Sequence, residues 1–179
     1  MANLPVPTLT APTVGTFATG AWWNANVSTL LTYGLNQPLF VGTQTIAQAV
    51  ATGTWTPLTL DTEQVDTYAG HSATTNSSRY TAQVPGWYTV CGVSAWASNA
   101  TGVRRSRLHV NGASVPGSSQ MVPTATTGSV TGVMTPVRAV FLDAGDYVEV
   151  VGWQNSGGNL ATAVASDLAT ALFVAWSHA

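Results

Sequence analysis

Residues 79–96 read RYTAQVPGWYTVCGVSAW. Tyr80, Ala82 and Val84 alternate with Thr81 and Gln83, a Pro85-Gly86 pair interrupts, and Tyr88, Val90, Gly92, Ser94 and Trp96 then line one face of a second extended run. Alternation with a period of two on both sides of a Pro-Gly pair predicts a strand, a turn and a strand.

Working outward, further short segments carry the same signal. TQTIAQAV (43–50), GTWTPLTL (53–60), RRSRLHV (104–110), VMTPVRAVFL (133–142), DYVEVVGWQ (146–154) and LATALFVAW (168–176) each read as a strand. The gaps hold turn residues, among them GHSATTNS, NATG, DAG and NSGG. Many short strands separated by such turns predict a β-sandwich or jelly roll. Asn111-Gly112 is the sharpest turn, because both residues tolerate the positive φ of a type I′ hairpin.

The first part of the chain differs. Residues 1–17 hold Pro5, Pro7 and Pro12, which suits an extended arm that needs a partner to become ordered. Next, TGAWWNANVSTLLTYG places Trp23, Val27, Leu30 and Leu31 on one helical stripe, with Thr19 as N-cap and Gly34 as the residue after the C-cap. Residues 1–42 are therefore expected to form an arm and one short helix, and 43–179 one domain of a length that can enclose a sizeable core.

Composition narrows the function. Charged residues are only 7% of the 179, against roughly 25% in an average soluble domain. The five basic residues are all arginine, and 27 threonines help to make the surface neutral. A net charge of -2 without a basic stripe excludes nucleic acid and an anionic membrane surface as partners. Cys91 is the single cysteine, so no intrachain disulfide framework forms, and it is expected to pack as a small apolar side chain. The N-terminus lacks the charged and apolar regions of an export signal, and no run approaches the ~18 apolar residues of a membrane span.

The run YTAQVPGWYTV resembles the Phe-x-x-Pro-x-x-Gly-x-Tyr-x-Phe signature of the complement-type globular head domain, a branch of the tumour necrosis factor-like jelly rolls. Gly86, Tyr88 and Val90 keep the pattern; Pro85 stands one residue before the glycine instead of three, and Gly92 stands where vertebrate members usually carry an aromatic. The strand from Trp55 to Leu60 followed by Asp61, the SRLHVNG hairpin, the DAGDYVEV segment and the closing LATALFVAW strand agree as well. The combination is most similar to virion proteins of tailed bacteriophages, in which SRYTA-x-V-x-GWY, Asn-Ala-Thr-Gly-x-Arg and GDYVE-x-x-G-x-Q-x-S-GG runs occur together. The resemblance covers about three quarters of the chain and implies an all-β jelly-roll sandwich of about ten antiparallel strands, assembled as a homotrimer. Seven tryptophans on a chain with few charges fit burial of apolar area against identical neighbours.

Candidate sites carry two readings each. Asp143, Asp146 and Glu149 are conceivable calcium ligands, but the two aspartates bracket an Ala-Gly turn, and the turn reading is preferred, so no metal is expected. His71, His109 and His178 have no spacing that makes a set. No Gly-x-Ser-x-Gly elbow, Cys-His pairing or phosphate loop appears, and neither an enzyme nor a cofactor is expected. Arg105 and Arg107 share one strand face while Arg104 takes the other; they read as a surface for an acidic group or as ion pairs with nearby carboxylates or across a subunit contact. Trp55, Trp87, Trp96, Trp153 and Trp176 stack on sugars if exposed, while alternation turns Trp96 inward. Tyr80, Tyr88, Trp96, Trp153 and Phe173 are the aromatics expected in the core or the trimer seam. Trp22, Trp23, Val27, Leu30 and Leu31 either pack the helix on its own head or dock it to another virion protein.

The expectation that follows is a bacteriophage virion structural protein, made in the host cytoplasm and displayed on the particle. Residues 1–42 attach it, and the trimeric head is a surface decoration, fibre or minor tail or capsid component. Its partners are itself and other virion proteins. The alternative is a tail head that binds a host glycan.

Overall fold

The computed structural model describes residues 4–8, 10, 11, 13, 18–124, 129–165 and 167–179. Three abutting segments, Gly20–Trp23, Asn24–Ser28 and Thr29–Leu35, form one continuous helix, α1, whose middle segment is π-helical. The Thr19 hydroxyl caps it by accepting from the Trp22 N–H at 3.1 Å, as the sequence predicts. Helix α1 runs through Gly34 to Leu35, and Asn36 is its C-cap, three residues later than expected.

Among the described residues fourteen strands follow: β1 Leu39–Thr43, β2 Ala49–Val50, β3 Thr56–Pro57, β4 Thr62–Asp66, β5 Arg79–Thr81, β6 Gly86–Trp96, β7 Val103–Val110, β8 Ala113–Ser114, β9 Gln120–Pro123, β10 Thr131–Met134, β11 Arg138–Leu142, β12 Tyr147–Gln154, β13 Leu160–Ala161 and β14 Ala171–His178. A first sheet runs β10-β6-β14-β1-β4, with β11 also paired to β6. A second runs β3-β12-β7-β8, with β5 on β12 and β9 on β7; β13 and β2 form a separate pair. This is the antiparallel jelly-roll sandwich that the alternation implies. The expected boundary after residue 42 falls inside β1, which lies between β14 and β4, so the sandwich begins at Leu39.

The opening stretch does give a strand, a turn and a strand, but the strands do not pair with each other. β5 bonds to β12 in the second sheet and β6 to β14, β10 and β11 in the first. The chain crosses between the sheets around Pro85-Gly86, and the Tyr88 hydroxyl, donating to the Val84 carbonyl at 2.7 Å, fastens the crossing. Asn111 (φ 50°) and Gly112 (φ 78°) join β7 to β8 as the predicted tight turn.

Two expected strands shrink, because side chains occupy their backbone groups. The Asp61 carboxylate accepts from the N–H groups of Thr45 and Ile46, and the Gln48 amide bonds Thr59 N–H and Pro57 C=O. VMTPVRAVFL splits into β10 and β11 because Pro136 has no N–H to give the ladder.

Phe40, Leu58, Leu60, Tyr80, Tyr88, Val90, Trp96, Leu108, Val148, Val150, Leu172 and Val174 are fully buried between the sheets. Trp96 donates its indole N–H to Ser94 Oγ at 3.0 Å. Its ring fits over Gly152, where an added Cβ would lie 2.8 Å from the indole. Gly92 admits Val150 in the same way, with an added Cβ 2.9 Å from the valine, so an aliphatic residue from β12 fills the space beside it.

Candidate functional site

The outward faces of the two sheets differ in chemistry. On the first, alternate residues of β6, β14, β1 and β10 present Val93, Cys91, Phe173, Val41 and Met134 around a shallow apolar hollow. Phe173 thus lies on this outer face, not in the sandwich core with Tyr80, Tyr88 and Trp96. Burial raises the pKa of the Cys91 thiol, consistent with an unreactive apolar role. Toward the chain's C-terminus, Trp87 meets Phe141 edge-on at 5.8 Å and stacks with His178 at 6.3 Å. Met134 is 62% and Phe141 47% exposed. Exposed apolar side chains gathered on one sheet face are a mark of an interaction surface.

The second sheet carries cations and aromatics outward. The register sets Trp153 of β12 opposite Arg105 of β7, and Val151 opposite both Arg107 and Pro57 of β3. Arg107 lies 3.8 Å from the Trp55 ring centroid; Arg105 lies 5.0 Å from Trp55 and 5.6 Å from Trp153. Trp153 is therefore half-buried on this face and not in the core. Arg104 points inward, as expected from alternation, is 1% exposed, and donates to the carbonyls of Thr101, Val103 and Asn99.

The ion-pair reading of the arginine run does not hold within the subunit. Among the described residues, the salt bridges are His71–Glu63 at 2.7 Å and Arg79–Glu149 at 3.1 Å. Glu149 is buried and also accepts from the Ser78 hydroxyl at 2.7 Å. Burial, and then the neighbouring Arg105, lower the pKa of the Arg107 guanidinium. Burial, and then Arg107, lower that of His109, with Glu149 opposing.

The helix and arm form a third surface. The arm has its partner within the chain: Asn26 Oδ1 accepts from Thr10 N–H at 2.8 Å, Trp22 Nε1 donates to Thr10 C=O at 3.3 Å, and the Tyr68 hydroxyl donates to Leu4 C=O at 3.3 Å. Leu4, Pro5 and Pro7 border a cavity with Ser28, Thr29, Thr32 and Tyr33 of α1. Tyr33 sits edge-on to Trp176 at 5.2 Å, and burial, then the nearby Tyr68, push its hydroxyl pKa up to about 12. So Trp22 and Tyr33 face inward, while Trp23, Leu30, Leu31 and Leu35 are exposed, Leu35 by 86%, with Val27 half-buried between them. One side of the helix thus meets the arm and the head, and the other side is exposed. Of the expected arm, residues 1–3, 9, 12 and 14–17 lie outside the described residues.

The acidic group of the sequence is dispersed. Asp146 accepts from Asp143 N–H and from the Asn111 side chain, closing the turn, while Glu149 is taken by Ser78 and Arg79. His71 stacks on Phe40 at 4.9 Å, His109 lies on β7 and His178 on Trp87.

Sequence reasoning marked the arginines and tryptophans separately and did not join Trp55, Trp153, Arg105 and Arg107. It also missed Val41, Met134 and Phe141. For the apolar face a signal existed: FV in β1, FL in β11 and ALFVAW in β14 are apolar on successive residues, so they are apolar on both faces, as in sheets covered on both sides.

No family model and no curated protein matches the chain. Solved structures do. A tumour necrosis factor from S. frugiperda, Eiger, superposes with a TM-score of 0.52 at 13% identity, covering 79% of this chain and 92% of that one. Murine APRIL superposes with TM-scores of 0.56 in its pH 8.5 crystal structure and 0.54 in its pH 5.0 structure, at 10% identity, covering 78% of this chain and 98% of that one. At such identities the likeness is one of fold, and it identifies the sandwich as a tumour necrosis factor-like jelly roll.

Proposed function

We propose that the chain is a structural protein of a tailed-bacteriophage particle: a homotrimeric jelly-roll knob, used as a surface decoration, fibre or minor tail or capsid component. It is made in the host cytoplasm and docks through its N-terminal arm and helix. Its role is non-catalytic. The observation that carries this reading is the pair of separate apolar areas left uncovered: the outer face of the first sheet around Val93, Met134 and Phe141, and the helix stripe of Trp23, Leu30, Leu31 and Leu35. An exposed apolar face suits burial against copies of the chain, and an amphipathic helix suits a groove on a different partner. The threefold count and the phage setting rest on the resemblance of residues 78–88, 99–104 and 145–158 to virion heads of complement type.

Light scattering on a size-exclusion column tests the assembly, and three times the chain mass is expected. Deleting residues 1–36 tests the docking role: the head should stay folded and trimeric but be absent from purified particles. A monomeric mass removes the assembly reading, and a head that unfolds on deletion makes the helix part of its core. A second reading, a head that binds a host-surface glycan, is favoured by the stacked tryptophans and arginines on the opposite sheet.

A further inference from the structure

Arg105 and Arg107 are the two cations of the described chain held side by side without a carboxylate. Their guanidinium groups donate no hydrogen bond within the described residues, and the Nε of each is buried without an acceptor. Glu149, opposite His109 on the same strand pair, is already engaged by Ser78 and Arg79. An unmet buried donor is costly, and two adjacent like charges add repulsion, so an anion joining the pair relieves both. Stacking on Trp55 holds the Arg107 fork in a fixed plane, which suits two-pronged recognition of a carboxylate. Beside the forks, Trp153 offers a second aromatic surface, its ring 6.2 Å from Trp55 and tilted by 39°. Indole faces next to a planar cation match a sugar ring whose C–H face is apolar and whose substituent is a carboxylate.

We propose that this outward face of β7, β12 and the Trp55 segment binds a carboxylate-bearing saccharide, with Arg105 and Arg107 holding the carboxylate and Trp153 and Trp55 supporting the ring. The proposal rests on the glycan-binding reading and names its ligand class. It is independent of the assembly reading, because all four side chains belong to one subunit.

The test is titration of the full chain with trigalacturonate and with 3′-sialyllactose, followed by tryptophan fluorescence and by the indole N–H signals in NMR. Controls are the methyl ester of trigalacturonate, inorganic phosphate and a short poly-glutamate peptide. Binding of either acidic sugar is expected, with shifts at Trp55 and Trp153 and roughly tenfold or greater weakening on esterification or in Arg107→Gln, as loss of a charge-assisted bidentate contact requires. Arg107→Lys should keep part of the affinity, and added salt should weaken it. The NMR map on the unaltered chain decides the matter even where a variant fails to fold. The proposal is overturned if neither acidic sugar binds, if the ester binds as well as the acid, if phosphate or the peptide binds as well as the sugar, or if the shifts fall on Trp87 and Trp176 instead. The mass of the chain in solution is unaffected by any of these results, so the knob reading stands or fails separately.

Discussion

Replacing Val93 with aspartate probes the apolar face directly. Val93 lies on the outer side of β6, opposite Met134 of β10 and Ala171 of β14, and is half-exposed in the single subunit. In a lone subunit the new carboxylate reaches water, so the fold should survive with little loss. In an assembly sealed by this face the charge is buried without a partner, which costs about 3–5 kcal/mol. Three copies about a threefold axis make that about 9–15 kcal/mol, or roughly 7 to 11 decades in the association constant. The variant should therefore run at one chain mass by light scattering at micromolar concentration, with an unchanged far-ultraviolet dichroism spectrum. A matched substitution on the exposed edge strand, Ala113→Asp, should leave the mass as it was. A Val93→Asp protein that keeps the assembled mass would show that copies meet elsewhere and that the apolar face is not the seam.

Trp96→Ala removes a fully buried indole that fills the space over Gly152 and leaves Ser94 without its donor. A loss of about 3–5 kcal/mol is expected in urea unfolding at fixed protein concentration, and a change below about 1 kcal/mol would contradict the packing described. Asp146 supplies a pH test: the hydrogen bond from Asn111, then that from Asp143 N–H, hold its carboxyl below the ordinary value of 3.8, with burial opposing. Because the folded pKa is depressed, the contribution is complete above that ordinary value and is lost as pH falls through the lower folded one. The Asn111 side-chain amide signals in NMR should be constant at higher pH and move only below about pH 4; movement near neutrality would place another group in control of the turn.

Much of the fold was legible because alternation is a property of the strand itself. Tyr80, Tyr88, Val90 and Trp96 are core residues as their spacing predicts, Asn111-Gly112 is the tight turn its chemistry demands, and Arg104 faces away from Arg105 and Arg107. Strand ends were less legible where side chains compete for the backbone, as Asp61 and Gln48 do between residues 44 and 59.

The sequence by itself determined which residues of each segment share a face, that turns separate many short strands, and that the chain has too little charge to cover its surface with ions. Local backbone geometry is enough for that, since successive strand residues point to opposite sides whatever lies across from them. Only the tertiary structure decided that β5 and β6 belong to different sheets, that Trp153 stands opposite Arg105, and that Trp55 reaches Arg107. It also decided that Phe173 and Met134 are left on an outer face while Leu172 and Val133 go inside. Those relations join segments distant in sequence, and their register is fixed by how the whole core packs, which no single segment encodes.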